Sequence, residues 1–279
     1  YAPAQHMELR DKGAIAPGHI ADFVVLSDLR AFEIERVWRA GRQVFARGEA
    51  WEEPERDTSF PAHFYRSVHL APRSAEDFVL RAPIAEGTVL CRILEVQEHT
   101  TFVAEGRAEL PVRGGVIDWE NSPYNLACVF ERHGKNGGCG MALVGGTALT
   151  RGAAATTYAH DSHNLLVLGQ TAADMTAAAN AVIDMQGGIA AVRDGSVTAC
   201  APLPIAGILS DRSLPVLGEQ IADVRRALTE NGYRHDNAIM SFATLALPVS
   251  PDIKLTDKGI VDVRRGKIVS LIVELRTAE

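Results

Sequence analysis

Asp194-Gly195, set between the short runs Ile189 to Val192 and Ser196 to Ala199, constrains this chain more than any other dipeptide in it. The pair accepts the positive φ of a type I′ turn, so the flanking runs form a hairpin. A hairpin pairs its strands antiparallel, which excludes a sheet built wholly from βαβ crossovers. Other strand-like segments precede it: Thr88 to Val96, Thr101 to Ala104, Leu126 to Glu131, Ala154 to Ala159 and Leu165 to Leu168. Each is rich in β-branched or apolar residues and bounded by Gly, Asn or Pro.

Two helices interrupt the strands. Thr171 is placed as an N-cap with Asp174 at the third helical position; Met175, Ala179, Val182 and Ile183 then line one face until Gly187. Ser213 caps the second, where Leu217, Ile221, Val224 and Leu228 recur at helical spacing before Asn231-Gly232. Strands and helices mingle without a βαβ rhythm, so the expected fold class is α+β.

The chain divides by pattern. Residues 1–48 carry a strand from Ala21 to Leu26 and a hairpin of Glu35 to Ala40 with Gln43 to Ala46, turning at Gly41-Arg42. These few strands lack a hydrophobic partner of their own, so they are expected to complete a sheet whose other strands lie elsewhere. Residues 49–75, with Trp51, Pro54, Pro61 and Pro72 among mixed charges, read as a linker arm over the surface. A mixed α/β domain is expected over 76–279.

Composition narrows the function classes. With 279 residues at 47% hydrophobic, the chain is long enough to bury about three quarters of its unfolded surface. Its net charge is −7, and no block of Lys or Arg stands out, so nucleic acid and anionic membrane are poor partners. The longest apolar runs fall far short of the roughly 18 residues of a spanning helix. Residues 1–20 do not read as a signal peptide, and a cytoplasmic location is expected. Cys91, Cys128, Cys139 and Cys200 show neither a disulfide framework nor a zinc pair, and read as small buried hydrophobes.

Two polar clusters are candidates for chemistry. His160-Asp161-Ser162-His163-Asn164 lies between two apolar strands, where a rigid site is well placed. Imidazole titrates near neutrality and a neighbouring carboxylate can orient it, so substrate contact, proton transfer or metal binding are the functional readings. The alternative is a turn in which Asp161 and Asn164 satisfy backbone groups. The second cluster, Glu131-Arg132-His133, runs into a glycine-dense stretch ending at Gly140. A phosphate cradle fails on spacing, because no Gly-Lys-Ser/Thr occurs and Gly138-Cys139-Gly140 lacks a third glycine three positions on. A glycine loop over a neighbouring site and a surface turn both remain. Neither Cys139 nor Ser162 sits in a nucleophile elbow, and the remaining histidines are scattered singly.

Certain stretches carry more than spacing supplies. Arg151-Gly152-Ala153-Ala154-Ala155-Thr156-Thr157-Tyr158-Ala159-His160-Asp161-Ser162-His163-Asn164 resembles the signature of the carboxy-terminal domain of bacterial adenine deaminases. Pro202 to Asp211 and Leu255 to Val263 are similar to further blocks of that family, in the same order. Gly13 to Asp22 is similar to the tail of metal-dependent amidohydrolases, where the chain leaves the barrel to finish a small β-sandwich. The resemblance implies hydrolysis of adenine to hypoxanthine and ammonia by hydroxide on a binuclear Mn or Fe centre in a preceding barrel. No His-x-His pair occurs here, and about 250 residues of barrel have no room. On that reading no metal is expected on this chain, which is expected to be inactive without a barrel on the same or a separate chain.

The same resemblance implies that His163, Asp161 and His160 serve catalysis, while Ser162, Asn164, Arg132 and His133 contact substrate or hold the loop. A homo-oligomer is the expected assembly. The alternatives are a non-catalytic purine-binding or dimerisation module, and a metalloenzyme in its own right with metal at His160, Asp161 and His163.

Overall fold

The computed structural model describes residues 1–49 and 59–277 and separates two compact units, Tyr1–Asp57 and Thr58–Glu279. The arm positions Trp51 and Pro54 lie outside the described residues.

The first unit holds a short helix α1 (Ala2–His6) and a three-stranded antiparallel sheet, β1 (Phe23–Asp28), β2 (Glu33–Arg39) and β3 (Arg42–Ala46). Its hairpin turns one residue earlier than expected: Ala40 and Gly41 take the two positive φ values, 49° and 77°. Arg42 instead pairs with Arg39 and begins the strand. Val24, Val25, Val44 and Phe45 remain exposed within this unit.

The second unit is built on a ten-stranded mixed sheet. Its strands are β4 (Glu86–Gln97), β5 (Thr100–Arg113), β6 (Val116–Ile117), β7 (Asn125–Phe130), β8 (Cys139–Gly146), β9 (Ala153–Thr156), β10 (Leu165–Gly169), β11 (Gly188–Arg193) and β12 (Ser196–Pro202). They lie in the order β12-β11-β9-β10-β7-β8-β4-β5-β6. A last strand, β16 (Ile272–Thr277), pairs with the first half of β4, whose second half runs parallel to β8. Among the described residues strand makes up 38% and helix 19%, with several sheets and no closed barrel, consistent with an α+β fold.

The central strands β7, β9 and β10 are buried at every position, so hydrophobic alternation is absent from them. Both faces are covered, which is why these antiparallel strands read as continuous apolar runs. On one face α2 (Ala172–Asp184) packs Met175, Ala179, Val182 and Ile183 against Ala153, Ala155 and Val167. On the other, α3 (Leu214–Glu230) and α4 (Ala238–Ala243) lay Val224, Leu228, Ile239 and Phe242 over Ala154, Leu166 and Leu168. A small antiparallel sheet shares that second face: β13 (Ile253–Thr256), β14 (Gly259–Asp262) and β15 (Lys267–Val269).

The caps behave as local chemistry predicts. Thr171 Oγ1 accepts from the Asp174 amide at 3.2 Å, while the Asp174 carboxylate accepts from Gly195 N at 2.6 Å. One acid thereby ties the helix start to the β11–β12 hairpin, where Asp194 and Gly195 have φ of 53° and 74°. Ser213 caps α3 without a side-chain hydrogen bond. No helix among the described residues is long and apolar enough to cross a membrane.

Two expectations shift. The strand read over Ala154 to Ala159 ends at Thr156, because Thr157 leaves the ladder: its hydroxyl donates to Gly207 O at 2.6 Å and accepts from Gly188 N at 2.9 Å. The end of the glycine-dense stretch is strand, not loop. Gly140 lies in β8, and a side chain there would meet Thr256 O at 2.0 Å, so glycine is required by the close crossing of the β13–β14 turn.

Candidate functional site

The sheet order places two connections side by side at one edge. Leu165 of β10 pairs with Phe130 of β7, so the turn that follows β7 and the loop that precedes β10 begin next to one another. The three motif blocks converge here. Gly207 and Ala206 come from the second block, and Thr256 and Asp257 of the third pack against Gly140 and Gly138.

Glu131 organises the turn after β7. Its carboxylate is buried and accepts from four backbone amides: His133 at 2.6 Å, Lys135 at 2.8 Å, Asn136 at 3.0 Å and Gly137 at 3.3 Å. Burial alone raises the pKa of a carboxyl, but these amide dipoles outweigh it and pull Glu131 down to about 2. Glu131 is thus an anion at neutral pH, held in a nest of its own chain.

Arg132 is engaged chiefly with backbone carbonyls. Its guanidinium donates to Ser67 O at 2.6 Å, Ser67 Oγ at 3.0 Å, Ala206 O at 2.9 Å and His163 O. Only 2% of the residue is exposed, and burial lowers its pKa to about 10, leaving it charged at neutral pH. Arg132 joins four segments of chain. His133 is half-buried, and its Nε2 bonds Ser162 O at 3.0 Å. The Arg132 amide donates to Asn164 Oδ1 at 3.3 Å.

The histidine loop is therefore clamped through its backbone. His163 N donates to Ala159 O at 2.7 Å, closing a turn in which His163 has φ 49°, and Asn164 N donates to Ser162 Oγ at 3.4 Å. Inside that frame the His160 and His163 rings lie 5.4 Å apart, and Tyr158 meets the His160 ring edge-on at 4.8 Å. The Nδ1 atoms of both histidines are buried with no hydrogen-bond partner. Burial, and then the charges of His160 and Arg132, hold His163 below the ordinary imidazole range. Asp161 and Ser162 are exposed.

Sequence reasoning named His160, Asp161, Ser162, His163, Asn164, Arg132 and His133, and the structure gathers all of them at this edge. It gave no individual role to Tyr158, Thr157, Ser67 or Ala206, which shape the loop from outside the polar clusters. The tyrosine beside a paired histidine was the one signal available for them. Glu131 was named without its nest, although an acid followed by Gly134, Gly137 and Gly138 marks a turn able to wrap a carboxylate. Among the described residues no group of three or more His, Cys, Asp or Glu is placed to hold a metal ion. His160 and His163 acquire no third ligand, so these residues do not fit a metal centre.

Comparison with known proteins finds relatives along nearly the whole chain. An "Adenine deaminase 2" of Shouchella clausii (strain KSM-K16) is 46% identical over 98% of this chain and 48% of the relative. An "Adenine deaminase" of Clostridium perfringens (strain 13 / Type A) is 43% identical over 97% and 48%. An "Adenine deaminase" of Moorella thermoacetica is 40% identical over 94% and 44%. The chain spans about half the length of the curated relatives it matches. Residues 100–267 match the adenine deaminase C-terminal domain, and the chain belongs to that family.

Proposed function

We propose that this chain is the carboxy-terminal part of an enzyme that hydrolyses adenine to hypoxanthine and ammonia. Residues 1–48 finish a β-sandwich beside a barrel, and residues 76–279 present the histidine loop to the purine. Such an enzyme is set in cytoplasmic purine salvage, as a homo-oligomer using Mn or Fe. The metal belongs to the barrel, on the same or a separate chain. The described residues of this chain do not fit a metal centre, and their proposed roles use side chains alone.

One observation carries this reading: two adjacent imidazoles with buried, unpartnered Nδ1 atoms stand on a loop whose backbone is fixed by Arg132 and His133. Buried polar atoms are nearly always satisfied, so each such exception calls for a partner from outside the chain, a ligand or a water. Held below its ordinary pKa, His163 is neutral at pH 7 and able to accept a proton or hydrogen bond from the purine. His160 stands beside it as the next proton carrier. Exposed Asp161 contacts substrate, while Ser162 and Asn164 keep the loop in shape.

The test is His163→Ala in the complete enzyme. Ammonia release from adenine should fall about a hundredfold in kcat, with thermal stability little changed. A kcat within about twofold of the parent would remove His163 from proton transfer. A raised KM with unaltered kcat would favour a purine-binding role without chemistry.

A further inference from the structure

Four cysteines are spread through the second unit, and two of them meet. In the β7–β8 ladder Cys128 pairs with Met141 and Phe130 with Cys139. Residues directly opposite share a face, and residues two apart on a strand share it too, so Cys128 and Cys139 are diagonal neighbours on the same side of the sheet. The two thiols interact with each other. Cys128 is fully buried, whereas Cys139 is exposed, contrary to the expectation that each cysteine is a buried hydrophobe. Cys91 is buried and Cys200 half-buried.

The surroundings are set up for a reactive sulfur. Arg73 lies over the Phe130 ring at 5.5 Å, next to Cys139, and pairs with Asp77 at 3.4 Å. The hydrogen bond from Cys128 lowers the Cys139 pKa, with Arg73 helping and burial and Asp77 opposing. Burial pushes the Cys128 thiol well up. Cysteines that sense oxidants combine accessibility, thiolate character and an adjacent resolving thiol.

Cys139 is also the first residue of β8, directly after Gly137 and Gly138. A diagonal pair in mid-ladder is too widely spaced for a disulfide without backbone movement. At this strand end the Phe130–Cys139 pair and the 2.8 Å bond from Glu131 N to Gly138 O are the contacts that must yield for the two sulfurs to meet.

We propose that Cys139 and Cys128 form a peroxide-reactive pair, in which Cys139 is oxidised first and Cys128 resolves it to an intrachain disulfide. The Cys139 thiolate attacks one oxygen of hydrogen peroxide; the O–O bond breaks, and hydroxide leaves with the thiol proton as water. Cys139 is then a sulfenic acid. The Cys128 sulfur attacks the Cys139 sulfur, the S–O bond breaks, and the departing hydroxide takes the Cys128 proton as a second water. Two thiols lose two electrons in total, and one peroxide becomes two waters. This inference is independent of the deaminase reading.

The experiment treats the full chain with hydrogen peroxide and follows intact mass and peptide maps. The expected product has lost two hydrogens, links the Cys128 and Cys139 peptides, and leaves Cys91 and Cys200 open to alkylation after unfolding. Cys139 should react about tenfold or more faster than Cys200. Cys128→Ala should stop Cys139 at a sulfenic acid that dimedone traps, and Cys139→Ala should abolish the mass loss. Equal reaction at Cys200 would overturn the proposal. So would a disulfide between two chains through Cys139 in place of the internal bridge.

Discussion

The two connections at the site edge solve opposite problems. The turn from Glu131 to Gly138 wraps its amides around a carboxylate of its own chain, so every oxygen it encloses is satisfied. The loop from Tyr158 to Asn164 is gripped from outside by Arg132 and His133, and its interior retains two imidazole nitrogens without partners. Glycine density therefore points the wrong way here. A run of amides aimed at one point is an anion nest, and in this chain Glu131 already fills it. A phosphate would have to displace a buried carboxylate bonded to four donors. The turn with fewer glycines holds the unmet hydrogen-bonding capacity.

The sharpest break of that contrast is at Arg132, which both connections share. Arg132→Ala leaves the carbonyls of Ser67, Ala206 and His163 without their donor in a buried place. The expected loss is about 3–5 kcal/mol in urea unfolding at pH 7. A loss below about 1 kcal/mol would show that the guanidinium is not what fixes the loop.

Glu131 comes next. Glu131→Ala empties the nest, and its expected cost at pH 7 is about 2–3 kcal/mol. The pH dependence has a fixed sign. A carboxyl with a folded pKa near 2, below the ordinary 4.5, contributes stability that is complete above pH 4.5 and is lost as pH falls from there towards 2. The gap between parent and variant should be constant from pH 7 to 5 and shrink below 4.5. If the gap instead opened on acidification, the nest would be stabilising the protonated acid.

His163 sharpens the other side. Its folded pKa is depressed, so its contribution to stability is complete above the unfolded imidazole value of 6.5 and declines as pH falls below it. If neutral His163 takes a proton in the reaction, kcat/KM should fall about tenfold per pH unit below that depressed pKa. His163→Ala should flatten this acid limb, and an unaltered limb in the variant would assign it to another group.

What the chain discloses in sequence is local. The Thr171 cap, the Met175 to Ile183 stripe and the Asp194-Gly195 turn each depend on residues a few positions apart, and all three stand where local chemistry put them. β8 escaped notice because Gly140, Gly145 and Gly146 imitate a loop, although Gly140 is small to let the Thr256 turn cross it. The β13 to β15 sheet escaped because short strands carry little periodicity. The candidate site was legible as two clusters of residue types but not as one place. Their junction runs through Arg132, whose partners Ser67, His163 and Ala206 are 65, 31 and 74 positions away in sequence. No periodicity reports contacts at that separation; only the sheet order does.

The smallest expected structural effect belongs to Asp161, and it separates shape from chemistry most cleanly. Asp161 is exposed between two residues whose rings or carbonyls are tied down, so Asp161→Asn, which keeps the volume and removes the charge, should change unfolding free energy by less than about 0.5 kcal/mol. Under the proposed function, any loss of adenine turnover by the complete enzyme carrying that substitution therefore cannot be charged to loop collapse. An effect on KM alone would place the carboxylate against bound purine, whereas an effect on kcat with the His163 acid limb displaced would place it in proton movement. Full activity at unchanged stability would leave Asp161 as a solvated turn residue and confine the chemistry of this loop to its two unpartnered imidazoles.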